Sequence, residues 1–111
     1  MPRTASQLAT GLLLGLAFLV STSGLQAQND ASKIFKSNCT LCHSEDGSGS
    51  SATGKAFKAK DLRSEEVQKN TDEALSEVIA KGRGKMPSFG SKFSPDVIKS
   101  LVAYIRQLPK K

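Results

Sequence analysis

The sequence predicts an all-α fold on three observations. Val97, Ile98, Leu101, Val102, Ile105 and Leu108 recur at helical spacing. Ser64, Thr71 and Ser94 are each followed by acidic residues within two positions, the arrangement of a helix start, where a side-chain oxygen and nearby negative charge satisfy the first N–H groups. No stretch alternates apolar and polar residues for long enough to give a credible pair of strands. The 111 residues are 38% hydrophobic and 23% charged, with 9 glycines. That is the composition of one small globular domain, which excludes a disordered or collagen-like chain and a two-domain enzyme. Special side chains are scarce: two Cys, one His, two Met, one Tyr and no Trp.

Taken in chain order, the first element is an export signal. Arg3 lies in a short polar start, residues 11–20 are an uncharged apolar run, and small polar residues follow with Ala27 at a suitable cut. The run is well short of the roughly 20 residues a membrane-spanning helix needs. Cleavage is therefore the expectation, and an uncleaved N-terminal anchor the alternative. No cysteine stands near the cut and Arg3 has no arginine beside it, which disfavours a lipid anchor and twin-arginine export. Residues 1–27 are assigned to the signal and residues 28–111 to the mature domain. Removing 27 residues from 111 leaves 84, and only Arg3 among the charged residues goes with them. The formal charge falls from +6 to +5, with 15 basic against 10 acidic side chains. A domain this small buries a modest fraction of its surface, and two cysteines allow at most one disulfide, so a cofactor is a natural candidate to fill the core.

Four helical pieces are expected in the mature chain. Asp30 caps a short helix from Ala31 to about Asn38 that carries Ile34 and Phe35. Ser44 to Gly54 is too polar and glycine-rich to be regular and reads as a loop, followed by a lysine-rich segment around Phe57. Ser64, with Glu65 and Glu66, starts a short helix reaching about Lys69. Thr71 starts another, with Leu75, Val78 and Ile79 on one stripe and Gly82 at a left-handed stop. Residues 83–90, Arg-Gly-Lys-Met-Pro-Ser-Phe-Gly, have no helical period and hold Met86, the one methionine left once Met1 is removed. The last helix has Ser94 at its cap, Pro95 at its first position and Pro109 beyond its end.

Both cysteines and the histidine fall within five residues, Cys39-Thr-Leu-Cys42-His43. C-x-x-C-H is the attachment motif of c-type haem: two thiols one helical turn apart each add to a vinyl group, and the next residue places an imidazole at the iron. Three rival readings fit less well. A dithiol catalyst is expected on a βαβ scaffold for which there are no strands, a structural zinc site wants four Cys or His ligands where the mature chain has three, and a plain disulfide leaves the histidine unexplained. With His43 used, Met86 is the soft ligand available for the second axial position. The competing role is a core filler, but Met86 lies between Lys85 and Pro87 in a loop rather than on an apolar helical stripe.

These residues resemble the small monohaem class I cytochromes c of bacteria. The resemblance rests on Cys39 to His43 after a short helix with Phe35, on Ile79-Ala-Lys-Gly-Arg-Gly-Lys-Met86-Pro87, and on the Ser94-Pro95 helix ending at Leu108, and it covers nearly all of the mature chain. It implies a cytochrome c fold of four to five short helices round one covalent haem, with first and last helices crossing where Phe35 faces Leu101 or Tyr104. It also implies a one-electron carrier rather than an enzyme. Many members of that family carry a Pro-Leu pair whose proline carbonyl orients the proximal imidazole. Here the corresponding stretch is Lys58-Ala-Lys-Asp-Leu62, so a backbone carbonyl is expected to do this work without being assigned. No Trp is present to bond a haem propionate.

Lys55, Lys58 and Lys60 precede the Ser64 helix, and Lys81, Arg83, Lys85 and Lys92 bracket Met86. Each alone reads as a solvated surface charge; as a set they would steer the protein to acidic docking surfaces on redox proteins or membrane respiratory complexes. Nucleic acid is not expected as the partner of an exported haem protein, the periplasm is the expected location, and a monomer the expected state. Two other functions remain in view, a peroxidase-like haem enzyme in which Met86 leaves the iron and a gas- or redox-sensing module. The enzyme lacks an acid-base group near Met86.

Overall fold

Four hydroxyl side chains start four of the helices. In the computed structural model, which describes residue 15 and residues 23–110, the backbone N–H groups of Gly54, Val67, Ala74 and Val97 donate to the side-chain oxygens of Ser51, Ser64, Thr71 and Ser94 at 3.0, 3.3, 3.1 and 3.3 Å. Each bond satisfies one of the otherwise orphaned donors of a first turn and contributes about 1 kcal/mol. They open α3 (Ala52–Phe57), α4 (Glu65–Gln68), α5 (Asp72–Lys81) and α6 (Pro95–Arg106), while α1 (Ser23–Asn38) and the single turn α2 (Thr40–His43) lead into them. Among the described residues there are thus six helical segments, not four. No strand occurs among the described residues; Arg83 and Met86 form one isolated antiparallel bridge.

Two local expectations are corrected. Asp30 is not a cap but lies inside α1, which starts at Ser23. Gln26, Ala27 and Gln28 are good or tolerable helix residues with no proline among them, so nothing local stops the helix at Asp30. The packed part does begin where the periodicity placed it: no described residue before Ala31 is buried, whereas Ala31 and Phe35, one turn apart on one face, are 1% exposed. The glycine-rich loop is also shorter than expected, since Ala52 to Gly54 already belong to α3. The α5 and α6 helices follow their apolar stripes, α6 ending at Arg106 with Leu108 buried just beyond it.

The core joins the two ends of the chain. Phe35 from α1 and Tyr104 from α6 meet with ring centroids 5.1 Å apart at a 49° tilt, and Leu101 and Val102 are buried beside them. Ile79 of α5 packs on the same cluster with Ile98, Ile105 and Leu108. Each such side chain contributes about 1.5–3 kcal/mol by leaving water. Arg106 then closes the structure from outside: its guanidinium donates to the Gln68 carbonyl at 2.6 Å and to Asp72 at 3.0 Å, fastening the junction of α4 and α5 onto α6. This encloses a space between the α1–α6 pair and the segments that follow α2.

Candidate functional site

That space is a cavity with two adjoining lobes of about 360 and 310 Å³, within the range of ligand pockets. Leu62, Val67, Leu75, Ile79, Phe93, Leu101 and Ile105 line the first lobe, and Phe57, Lys58, Lys85 and Pro87 the second. Cys39, His43 and Met86 line both, and Cys42 lines the second. The four residues singled out in the sequence, 47 positions apart at the extremes, are therefore walls of one space.

Cys42 and His43 are presented by α2, with Cys39 at its N-terminal cap, and the segment that leads into α3 holds that turn in place. The Ser51 hydroxyl donates to the Leu41 carbonyl at 2.7 Å, the Gly49 N–H to the His43 carbonyl at 2.7 Å, and the Ser51 N–H to the Ser44 hydroxyl oxygen at 2.9 Å. The carbonyls at the end of a four-residue helix are thereby satisfied from one neighbouring segment. Ser44 itself takes φ 67 and ψ 162, a strained setting for a residue with a side chain, directly after the histidine.

The His43 ring is oriented by a bond that sequence reasoning left unassigned. Its Nδ1 lies 2.9 Å from the Lys60 carbonyl. A carbonyl only accepts, so Nδ1 carries the proton and Nε2 keeps its lone pair for a ligand. Burial holds the imidazole below its ordinary pKa, and the Lys60 carbonyl partly opposes this. The segment without proline thus supplies the carbonyl by backbone position alone.

Met86 is held by the end of α5. Arg83 and Met86 exchange backbone hydrogen bonds of 3.1 and 2.9 Å, and the Phe89 and Gly90 N–H groups donate to the Ile79 and Ala80 carbonyls at 3.0 and 2.9 Å. The Ser88 hydroxyl also donates to Ala80 O, at 2.6 Å. This is a tight return loop rather than a core helix position, and from it the partly buried Met86 packs against the core cluster.

The rival chemistries fare worse. Burial first, and the neighbouring Cys42 second, push the Cys39 thiol up to about 11, with Lys92 opposing. A dithiol catalyst lowers its attacking thiol instead. Among the described residues no three His, Cys, Asp or Glu side chains converge as metal ligands, as a zinc site requires. Two free thiols, an imidazole with one nitrogen already committed to a carbonyl, and a thioether round a largely apolar space do fit a covalently attached haem.

The family model described as cytochrome c oxidase, cbb3-type, subunit III matches residues 26–105. The chain belongs to the cytochrome c family. Cytochrome c6 of Gloeothece citriformis is 28% identical over all of this chain and 98% of its own length. The cbb3-type cytochrome c oxidase subunit FixP of Bradyrhizobium diazoefficiens is 35% identical over 82% of this chain, which spans only 32% of that subunit. A solved c-type cytochrome, KustC0563, superposes with a TM-score of 0.66 at 31% identity, covering 73% of this chain and 98% of its own. As a small class I monohaem cytochrome c, the protein carries covalently attached haem c and works as an electron carrier, not an enzyme.

Two of the lysines around the site are paired with carboxylates. Lys60 pairs with Glu66 at 2.9 Å and Lys81 with Glu77 at 2.6 Å, and Lys92 donates to Asn38 at 2.6 Å. Lys58, Arg83 and Lys85 line the second lobe, with the Lys85 ammonium 5.9 Å from the centre of the half-exposed Phe57 ring.

Proposed function

We propose that this cytochrome is an exported one-electron carrier in which Cys39 and Cys42 bear the haem through thioethers and His43 and Met86 are the axial ligands of its iron. The observation that carries the reading is that His43 and Met86 line the same two lobes while the Lys60 carbonyl leaves the imidazole Nε2 available. When bound, the haem supplies an iron that takes up and releases one electron. His43 offers a neutral imidazole in a fixed tautomer, and Met86 offers a soft donor that favours the ferrous state. The apolar walls, Leu62, Val67, Leu75 and Ile79 among them, keep water away and disfavour the extra charge of ferric iron. Both effects raise the midpoint potential. With His43 and Met86 both holding the iron, none of its positions would be open to oxygen, peroxide or carbon monoxide, so a peroxidase or gas sensor fits poorly.

Export follows from residues 1–27, with cleavage after Ala27 into the periplasm. For partners, the half-exposed Phe57 flanked by Lys58, Arg83 and Lys85 suits an acidic docking surface on a redox protein or a respiratory complex, the FixP relatives being subunits of a cytochrome c oxidase.

Absorption spectra and redox titrations of the protein and of Met86→Ala test the ligation. The ferric protein is expected to show the weak red band of a thioether on ferric iron and a positive midpoint potential. In Met86→Ala the band vanishes and the potential falls. A protein without the band, or with a strongly negative midpoint, overturns His/Met ligation.

A further inference from the structure

The Met86 loop lies on the end of α5 by a contact that position 82 permits only without a side chain. Gly82 has φ 74 and ψ 173, a region open essentially to glycine. A Cβ built there would stand 2.5 Å from Met86 O, 2.8 Å from the Pro87 carbonyl carbon and 2.9 Å from Ser88 N, where ordinary contact begins near 3.4 Å. All three are backbone atoms and cannot rotate aside. The loop is fastened to α5 just beyond them, where the Ser88 hydroxyl donates to Ala80 O at 2.6 Å. Gly84 makes an internal comparison: its φ is also positive, at 56, yet a Cβ there would meet nothing within 4 Å.

We propose that Gly82 is a positioning residue for Met86. Its bare α-carbon lets the Met86–Ser88 backbone lie directly on the end of α5, the Ser88 hydroxyl and the Phe89 and Gly90 N–H groups hold it there, and this contact sets where the Met86 sulfur stands in the cavity. The proposal rests on Met86 being an axial ligand. Its force comes from magnitude. Relieving the shortest contact requires a displacement larger than the tolerance of about 0.5 Å within which a site must hold its groups. The displaced atoms belong to Met86 itself and the two residues after it, so the sulfur moves with them.

The test compares ferric spectra, midpoint potentials and imidazole binding of the haem-loaded protein, Gly82→Ala and Gly84→Ala. Gly82→Ala is expected to lose the red band, to bind added imidazole about tenfold more tightly or better, and to shift its midpoint downward. Haem content and far-UV circular dichroism should stay at the levels of the unmodified protein. Gly84→Ala should keep the band. The proposal is overturned if Gly82→Ala keeps the band and its imidazole affinity, or if Gly84→Ala loses the band equally, because positive φ rather than contact would then be the cause. An unmodified protein lacking the band overturns the ligation underneath instead, and the two failures are told apart by which sample lacks it. Should Gly82→Ala yield no haem protein, Ser88→Ala removes the fastening hydroxyl and adds nothing. Its red band is expected to disappear on heating well below the temperature of global unfolding, and a band that melts as in the unmodified protein overturns the proposal.

Discussion

A methyl group at position 54 would run into the Cys42 carbonyl oxygen, with Gly49 O at 2.5 Å and Ser51 Oγ at 2.9 Å. Gly54 is buried in α3, and its closeness to Cys42 lets Ser51 and Gly49, in the segment that leads into α3, satisfy the carbonyls of Leu41 and His43. Gly54→Ala is therefore an overpacking change against backbone, expected to destabilise the haem-loaded protein by about 1–3 kcal/mol. Urea unfolding followed by far-UV circular dichroism checks this, and an unchanged midpoint would show that α3 is free to move off the attachment turn. At single residues the candidate site was legible only in part. Cys39, Cys42, His43 and Met86 stand out because their chemistry resides in rare side chains. The Lys60 carbonyl and the close approaches at Gly54 and Gly82 do not, because every residue has a carbonyl and a glycine's contacts depend on what the fold brings against it.

Elements were legible where their signals are local. The Ser64, Thr71 and Ser94 caps each act on an N–H three residues on, so sequence distance and spatial distance coincide. The turn α2 was hidden because it is only four residues long, and α3 because Gly54 and the serines argue against a helix that the neighbouring attachment turn nevertheless stabilises. For α1, the first half carries no described buried residue, whereas Ala31 and Phe35 anchor the second half. A cut after Ala27 therefore removes no described side chain of the core, although it divides the helix. If the protein is exported as proposed, its processed form begins at Gln28, and N-terminal sequencing of the periplasmic fraction checks it. Recovery of an unprocessed chain in the membrane fraction would replace cleavage by the anchor. Of the apolar run itself, only residue 15 is among the described residues.

At the scale of the whole molecule, charge is distributed by contacts that the linear sequence does not display. Arg106 meets Asp72 across 34 positions, and Lys60 meets Glu66 across six. The second of these pairs offsets Lys60, which lines the second lobe of the site together with Lys58, Arg83 and Lys85 beside Phe57. Exposed charges act on an approaching partner over a Debye length, about 10 Å at 0.1 M salt and 3 Å at 1 M, so their contribution is to encounter rate more than to the strength of the final complex. Electrostatic steering raises association by roughly 10- to 1,000-fold. If the mature charge of +5 is focused at this lobe, the second-order rate of reduction by an acidic redox partner should fall about tenfold or more as salt rises from low ionic strength to 1 M. Stopped-flow measurement across that range reads it directly. Reversing Lys58 and Lys85 to glutamate changes the net charge by four units, so a distant, uniform field and a local one must be separated. The same reversal at Lys33 and Lys99, which are exposed and line neither lobe, supplies the comparison. A local docking surface requires the first pair to slow reduction much more than the second at low salt, with the difference disappearing at 1 M. Equal slowing by both pairs would leave only net charge at work, and a rate indifferent to salt would remove electrostatic docking altogether.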